Sequence, residues 1–311
     1  MCGLHSYIVG RFRGIRRSTA SYSFVFAGPL DAPSPPMTTL YSIGADLAFF
    51  ALSGFATLVV LQRRLIYAAP TGVKHLDLGL FSDRYHRREH RLTLPDGNVL
   101  EGFSAHPKIV TPGAPVRVLI YFGGRSENVA WVPDIASNVP GWHVYAFNHR
   151  GFGASTGTPS EARLKHDAVC VHAHVLAAHD NAVDTLAIAG RSLGSAVATW
   201  LAAKFRVDRL VLLSPFPNLE RVIALIPVLG RFKGLLMDSL DSGRHALGVR
   251  APTLVIASRS DDRVPAELSQ EFAALVSGPA EVLLVDGLTH AALPRSAPIQ
   301  SALAAFLRRS V

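Results

Sequence analysis

The sequence predicts an α/β fold: a mostly parallel central sheet with helices on both faces. Three observations carry that expectation. From residue 116 to 308, short apolar β-prone runs alternate with longer helix-prone ones. Between one such pair lies Gly190-Arg191-Ser192-Leu193-Gly194, a G-x-S-x-G sequence at a strand-to-helix junction. The chain has 311 residues, which suits one large α/β domain with an appendage.

The appendage comes first. Residues 1–37 carry Ser, Arg and Pro without a period and read as a disordered segment. Met37 directly precedes an apolar stretch, so it also reads as an alternative start. Leu40 to Leu61 is a 22-residue apolar run with one charge, Asp46. At 1.5 Å per residue such a helix spans about 33 Å, enough for a bilayer core. A signal peptide would want positive charge before the run and a small-x-small cleavage site after it. Here Gln62-Arg63-Arg64 follows instead, so residues 38–66 are expected to form an uncleaved transmembrane anchor. Positive residues near a span tend to stay cytoplasmic. Arg63, Arg64 and Lys74 follow this span, whereas Ala20 to Thr39 holds no Lys or Arg. The domain after the anchor is therefore expected on the cytoplasmic side.

Composition narrows the partners. The net charge is +8, and four arginines against Asp31 in residues 1–36 supply +3 of it. The rest is spread along the chain with no interleaved basic and aromatic stripe, so no nucleic-acid partner is expected. Cys2 and Cys170 give neither a disulfide framework nor a zinc pattern. A 49% apolar composition and a mean hydropathy of +0.26 fit a chain with a membrane segment.

The remaining elements follow in order across an expected domain of residues 67–311. Tyr67 to Leu80 reads as a linker, and the charged run Tyr85 to Arg91 as a solvated strand edge. Arg91 to Leu94 and Val99 to Phe103, joined by Pro95-Asp96-Gly97-Asn98, read as a hairpin. Val116 to Phe122 and Trp142 to Phe147 are strands. Ser160 to His179 is a helix with Leu164, Ala168, Val171 and Val175 on its buried face. On its opposite face His166, Cys170 and His174 share one stripe, read as polar surface rather than as metal ligands. Strand Thr185 to Ala189, helix Leu193 to Phe205 and strand Asp208 to Ser214 come next. Residues 215–250 interrupt the alternation and read as a short cap with an apolar wall, Val222 to Leu229 and Leu235 to Met237. Strand Thr253 to Ser258, helix Ala266 to Val276, strand Glu281 to Asp286 and helix Pro298 to Arg308 complete the pattern.

Active sites of such sheets lie at the carboxyl ends of the strands. A serine at a sharp strand-to-helix turn holds its hydroxyl clear of the sheet, and small residues two before and two after it let strand and helix approach. Gly190 and Gly194 supply them around Ser192. A serine hydroxyl needs a base, usually a histidine oriented by a carboxylate. Asp261 and Asp262 follow the strand that ends at Ser258. His290 follows the strand that ends at Asp286. His149 is expected to organise its loop rather than to react.

Residues 88 to 308 resemble the α/β-hydrolase superfamily. The resemblance rests on G-x-S-x-G, the loop after the first long strand, Asn148-His149-Arg150-Gly151-Phe152-Gly153-Ala154-Ser155, D-x-x-V-P at 261–265 and the late His290. The anchor followed by Q-R-R-L-I-Y-A-A-P looks like the membrane-anchored abhydrolase-domain proteins, including a depalmitoylase-like branch. The resemblance implies the α/β-hydrolase fold and selects Asp261, four residues before Pro265, with Asp262 as its alternative. The family usually has H-G-N or G-G-N where this chain has Gly123-Gly124-Arg125. Oxyanion donors are backbone N–H groups, so Arg125 and Leu193 are expected to serve.

The expected function is a membrane-anchored serine hydrolase that cleaves esters or thioesters of a small-molecule or acyl-lipid substrate. No cofactor and no metal is expected. A serine peptidase acting on short peptides, or a non-catalytic binding protein of the same fold, are the alternatives.

Overall fold

A computed structural model of the chain describes residues 37–69, 84–226 and 229–309. The expected disordered segment at residues 1–36, and most of the expected linker to Leu80, lie outside the described residues. Among these residues an eight-stranded sheet runs β1(Tyr85–Thr93), β2(Val99–Pro107), β3(Arg117–Phe122), β4(Trp142–Phe147), β5(Thr185–Arg191), β6(Arg209–Leu213), β7(Thr253–Ser258) and β8(Ala280–Val285). The spatial order is β1-β2-β4-β3-β5-β6-β7-β8. Only the β1–β2 and β2–β4 pairs are antiparallel.

The charged run Tyr85 to Arg91 is part of β1, the sheet's edge. Its charges explain the position, since an edge must not invite further pairing. Strands at the centre are apolar on both sides. In β3, Val118, Ile120 and Phe122 join one core cluster while Leu119 and Tyr121 join another. Helices α2(Glu161–Ala177), α3(Leu193–Lys204) and α6(Ala266–Leu275) cover the first face. Helix α7(Ala297–Arg308) and a 3₁₀ segment, Val129–Asn138, cover the second. That 3₁₀ segment has no counterpart in the sequence reading, because Pro133 and its mixed pattern match neither a helical nor a strand period. Ser160 caps α2, and Leu164, Ala168, Val171 and Val175 are buried as expected.

Helix α1(Met37–Ile66) is long and apolar enough over Ala45–Ile66 to cross a membrane. Leu47, Phe49, Phe50 and Leu52 are exposed on it. The chain divides into two compact units, Met1–Ser53 and Gly54–Val311. The second unit thus takes in the last turns of α1. Ile66 and Tyr67, on either side of the expected domain border, are both buried in its core. Tyr67 donates to Asp238 at 3.0 Å, and the Gln62 amide reaches the Leu235 carbonyl at 2.9 Å. The cap positions hold two short helices, α4(Leu219–Ile223) and α5(Ser242–Ala246), and a 3₁₀ segment, Leu229–Leu235.

The turn from β5 into α3 depends on its glycines. A Cβ on Gly194 would overlap the carbonyl oxygens of Phe122 and Gly123, and one on Gly190 would overlap the carbonyl of Gly194. These obstacles are backbone and cannot rotate away. Gly194→Ala is expected to cost about 3 kcal/mol or more, as overpacking against backbone does. A urea midpoint equal to that of the parent protein would contradict this reading.

Candidate active site

Ser192 sits between β5 and α3 with φ +50° and ψ −117°. This left-handed backbone is costly for a residue with a side chain and persists only where the surroundings enforce it. Here the Ser192 N–H donates to the Leu213 carbonyl at 2.9 Å, which ties the turn to β6. Leu193 opens α3, so its N–H belongs to the first helical turn, which lacks intrahelical acceptors.

Asp261 follows β7. Its Oδ1 accepts from the N–H groups of Arg263 and Val264 at 2.9 and 2.8 Å. Its Oδ2 accepts from the Ser214 hydroxyl at 2.7 Å and lies 2.8 Å from His290 Nδ1. The His290 side chain is 5% exposed and that of Asp261 is fully buried. Burial raises the Asp261 carboxyl, but hydrogen bonds from His290, Val264 and Ser214 outweigh it and hold it below the ordinary carboxylate range. Asp262 does something else: its Oδ1 accepts the backbone N–H of His290 at 2.9 Å. The structure therefore gives the two neighbouring aspartates separate contacts, one with the imidazole and one with its backbone.

Ser192, Leu193, Arg125, Asp261, Asp262 and His290 line one cavity of about 670 Å³. Its other walls are mostly apolar and include Leu65 and Ile66 of α1, Phe216, and Val222, Ile223 and Ile226 of the cap. Arg125, whose position departs from the family pattern, lines the cavity together with Arg263. Burial, then the nearby Arg263 charge, lowers the Arg125 guanidinium from its ordinary value.

A buried ion pair connects the three loops of this cavity. Arg191, the residue before Ser192, donates to Glu127 at 3.0 Å and to the His290 carbonyl at 2.7 Å. Glu127 also accepts from the Gly124 N–H at 2.6 Å, Tyr121 hydroxyl and Trp131 indole. Removing one partner of such a pair leaves a buried charge uncompensated, at roughly 3–5 kcal/mol. His149 lies under the same loop, its Nε2 2.8 Å from the Gly123 carbonyl. Burial lowers its basicity, so the neutral ring donates there. The expectation that His149 organises its loop agrees with this contact.

The serine aminopeptidase S33 family matches residues 113–244. A Saccharomyces cerevisiae membrane protein, YNL320W, is 32% identical over 233 residues, covering 72% of this chain and 80% of its own length. The chain belongs to the α/β-hydrolase superfamily. Other relatives match over shorter stretches. The Mycobacterium tuberculosis protein MT2364 is 38% identical over 150 residues, 48% of this chain and 53% of that protein, so the match spans about half of the relative's length. Lysophosphatidylserine lipase ABHD12 of Macaca fascicularis is 32% identical over 151 residues, 42% of this chain and 37% of that one. The Pyrococcus furiosus esterase Pf2001 shares the fold, with a TM-score of 0.60 at 18% identity over 78% of this chain and 98% of that one.

Within this α/β-hydrolase frame, sequence reasoning missed Glu127, Arg191 and Ser214. Arg191 did carry a signal. A charged residue at the buried end of a central strand needs a partner, because an unpaired buried charge is too costly. Nothing in the sequence shows where that partner lies.

Proposed function

We propose that the chain is a membrane-anchored serine hydrolase that cleaves carboxylic ester or thioester bonds of acyl lipids. The observation that carries this reading is the Asp261–His290 pair opening onto the same apolar cavity as the strained Ser192. His290 takes the Ser192 proton as the hydroxyl attacks the acyl carbonyl. Asp261 holds the ring with Nδ1 protonated and Nε2 free to accept. The backbone N–H groups of Arg125 and Leu193 receive the negative oxygen. His290 returns its proton to the leaving alcohol or thiol, and water releases the acyl group by the same route.

The cavity walls favour an acyl chain, and the relationship to a lysophosphatidylserine lipase supports a lipid. Leu225, Leu235 and Met237 of the cap are more than half exposed, as a surface resting on a bilayer would be. Helix α1 supplies the anchor, and Arg63 and Arg64 in its last turn favour a cytoplasmic catalytic domain. Alkaline phosphatase activity from a C-terminal fusion, without β-galactosidase activity, would reject that orientation.

A panel of p-nitrophenyl esters, acyl thioesters and aminoacyl anilides tests the reaction class. Esters or thioesters with medium to long acyl chains should turn over, and aminoacyl anilides should not. The second reading is a serine peptidase, favoured by the name of the matching S33 family; preference for the anilides would establish it. No turnover and no labelling by a fluorophosphonate would leave a binding protein.

Acid should silence the enzyme through the imidazole. A histidine base must be neutral to take the serine proton, so kcat/KM is expected to fall in acid. Asp261 is held below the usual carboxylate range, so it stays ionised through that fall. Its contribution to stability is complete above the unfolded value of about 3.9 and is lost only as pH drops through the lower folded value. One proton should therefore account for the acid limb. A rate that stays flat from neutral pH to about 4 would contradict a histidine base.

A further inference from the structure

At the opposite end of the sheet, five of the chain's thirteen histidines line one cavity of about 340 Å³: His86, His90, His106, His143 and His179. Strand pairing brings them there. Tyr85–Thr93 and Val99–Pro107 pair so that His86 faces His106, and Ala105 faces Val144, which sets His106 beside His143. His179 joins them just past the C-terminus of α2.

The three inner rings are close. One ring nitrogen from each of His106, His143 and His179 lies within 4.8 Å of the other two. The Nδ1 atoms of His106 and His143 are 3.0 Å apart. Zinc–imidazole bonds of about 2.0–2.1 Å in tetrahedral geometry separate ligand nitrogens by about 3.4 Å, so ring rotations of an ångström or so would complete the site. Ring nitrogens of His106 and His179 have further partners. His106 Nε2 lies 2.7 Å from the Ser104 hydroxyl, which in turn lies 2.7 Å from His90 Nε2. His179 Nε2 lies 2.9 Å from the Tyr145 hydroxyl. A chain of His106 N–H to Ser104 to His90 satisfies every member and leaves the His106 Nδ1 lone pair facing inward. Such outer contacts fix the tautomer and orientation of metal-binding histidines. Burial, then the neighbouring rings and Arg88, keeps His106 neutral down to about 3, and burial and His179 keep His143 neutral down to about 4.

We propose that His106, His143 and His179 bind one divalent metal ion of the zinc class. An all-imidazole set suits zinc, nickel or copper, whereas magnesium and calcium want oxygen ligands. No carboxylate lines this cavity among the described residues. Arg88 does line it, so the fourth position takes a water or an anion. The ion would join β2, β4 and the end of α2, three segments far apart in sequence. It is not part of the hydrolytic site. His143 is level with Val118 of β3, which is level with Leu186 of β5, six residues before Ser192. At about 3.3 Å per residue that is about 20 Å of strand.

The full chain in detergent, stripped with a chelator and dialysed against micromolar zinc, should retain one ion per chain. His143→Ala and His106→Ala should each weaken zinc binding at least tenfold, while Ser192→Ala should leave it unchanged. Retention that the histidine substitutions do not alter would mean adventitious binding elsewhere and would overturn the site. Circular dichroism checks that the variants are folded. If they are not, cobalt on the parent protein decides: four-coordinate visible absorption bands support the site, and their absence overturns it, leaving only an imidazole–imidazole hydrogen bond.

Discussion

Replacing Ser192 with alanine is expected to lower kcat/KM about 10⁴-fold or more and to abolish fluorophosphonate labelling. The members of a nucleophile–base–carboxylate set act as a unit, so losing the nucleophile removes nearly all they supply together. What survives comes from the oxyanion donors and substrate binding. Stability should change little, because the backbone at Ser192 is fixed by β6 and α3 rather than by its hydroxyl. A variant that keeps more than a few per cent of the parent rate would place the nucleophile elsewhere.

The neighbouring aspartates should separate by orders of magnitude. Asp261→Asn keeps the shape but offers an amide where His290 Nδ1 needs an acceptor for its proton. The ring is then held in the wrong tautomer, and kcat should fall roughly 10⁴-fold. Asp262→Asn keeps an oxygen for the His290 backbone N–H, since an amide carbonyl also accepts. Its effect should stay within about tenfold, the scale of one weakened positioning hydrogen bond. If Asp262→Asn is the more damaging change, the pairing of roles to residues is inverted.

The strands were the most legible part of the chain. The central strands are short apolar runs, and β4 and β7 match their expected limits residue for residue, because a central strand buried on both faces leaves a continuous signal. The positions of Ser192, Asp261 and His290 were legible for a related reason: a parallel sheet lines up its strand ends, so the loops after β5, β7 and β8 must be neighbours. The choice of Asp261 over Asp262 came from the resemblance alone, through its place four residues before Pro265. Both stand in one loop, where their side chains make separate contacts. Glu127 and Ser214 were illegible because their contacts are long-range. Glu127 meets Arg191, 64 positions away, and Ser214 meets Asp261, 47 positions away. The histidine cavity was hidden in the same way. His166, Cys170 and His174 on α2 form a visible stripe at helical spacing. Instead, the gathered rings come from β2, β4 and the second residue after α2, and only the antiparallel register at the sheet's edge brings them together.

The central claim is a covalent acyl-enzyme on Ser192. It is tested most directly by acid-quenching the protein during turnover of a slowly hydrolysed p-nitrophenyl ester, digesting it and mapping the adduct by mass spectrometry. The expected result is the acyl mass on the Ser192 hydroxyl, accumulating faster in the parent protein than it decays and absent from Ser192→Ala. An acyl group on another residue, or steady turnover with no adduct and no burst of p-nitrophenol, would contradict it.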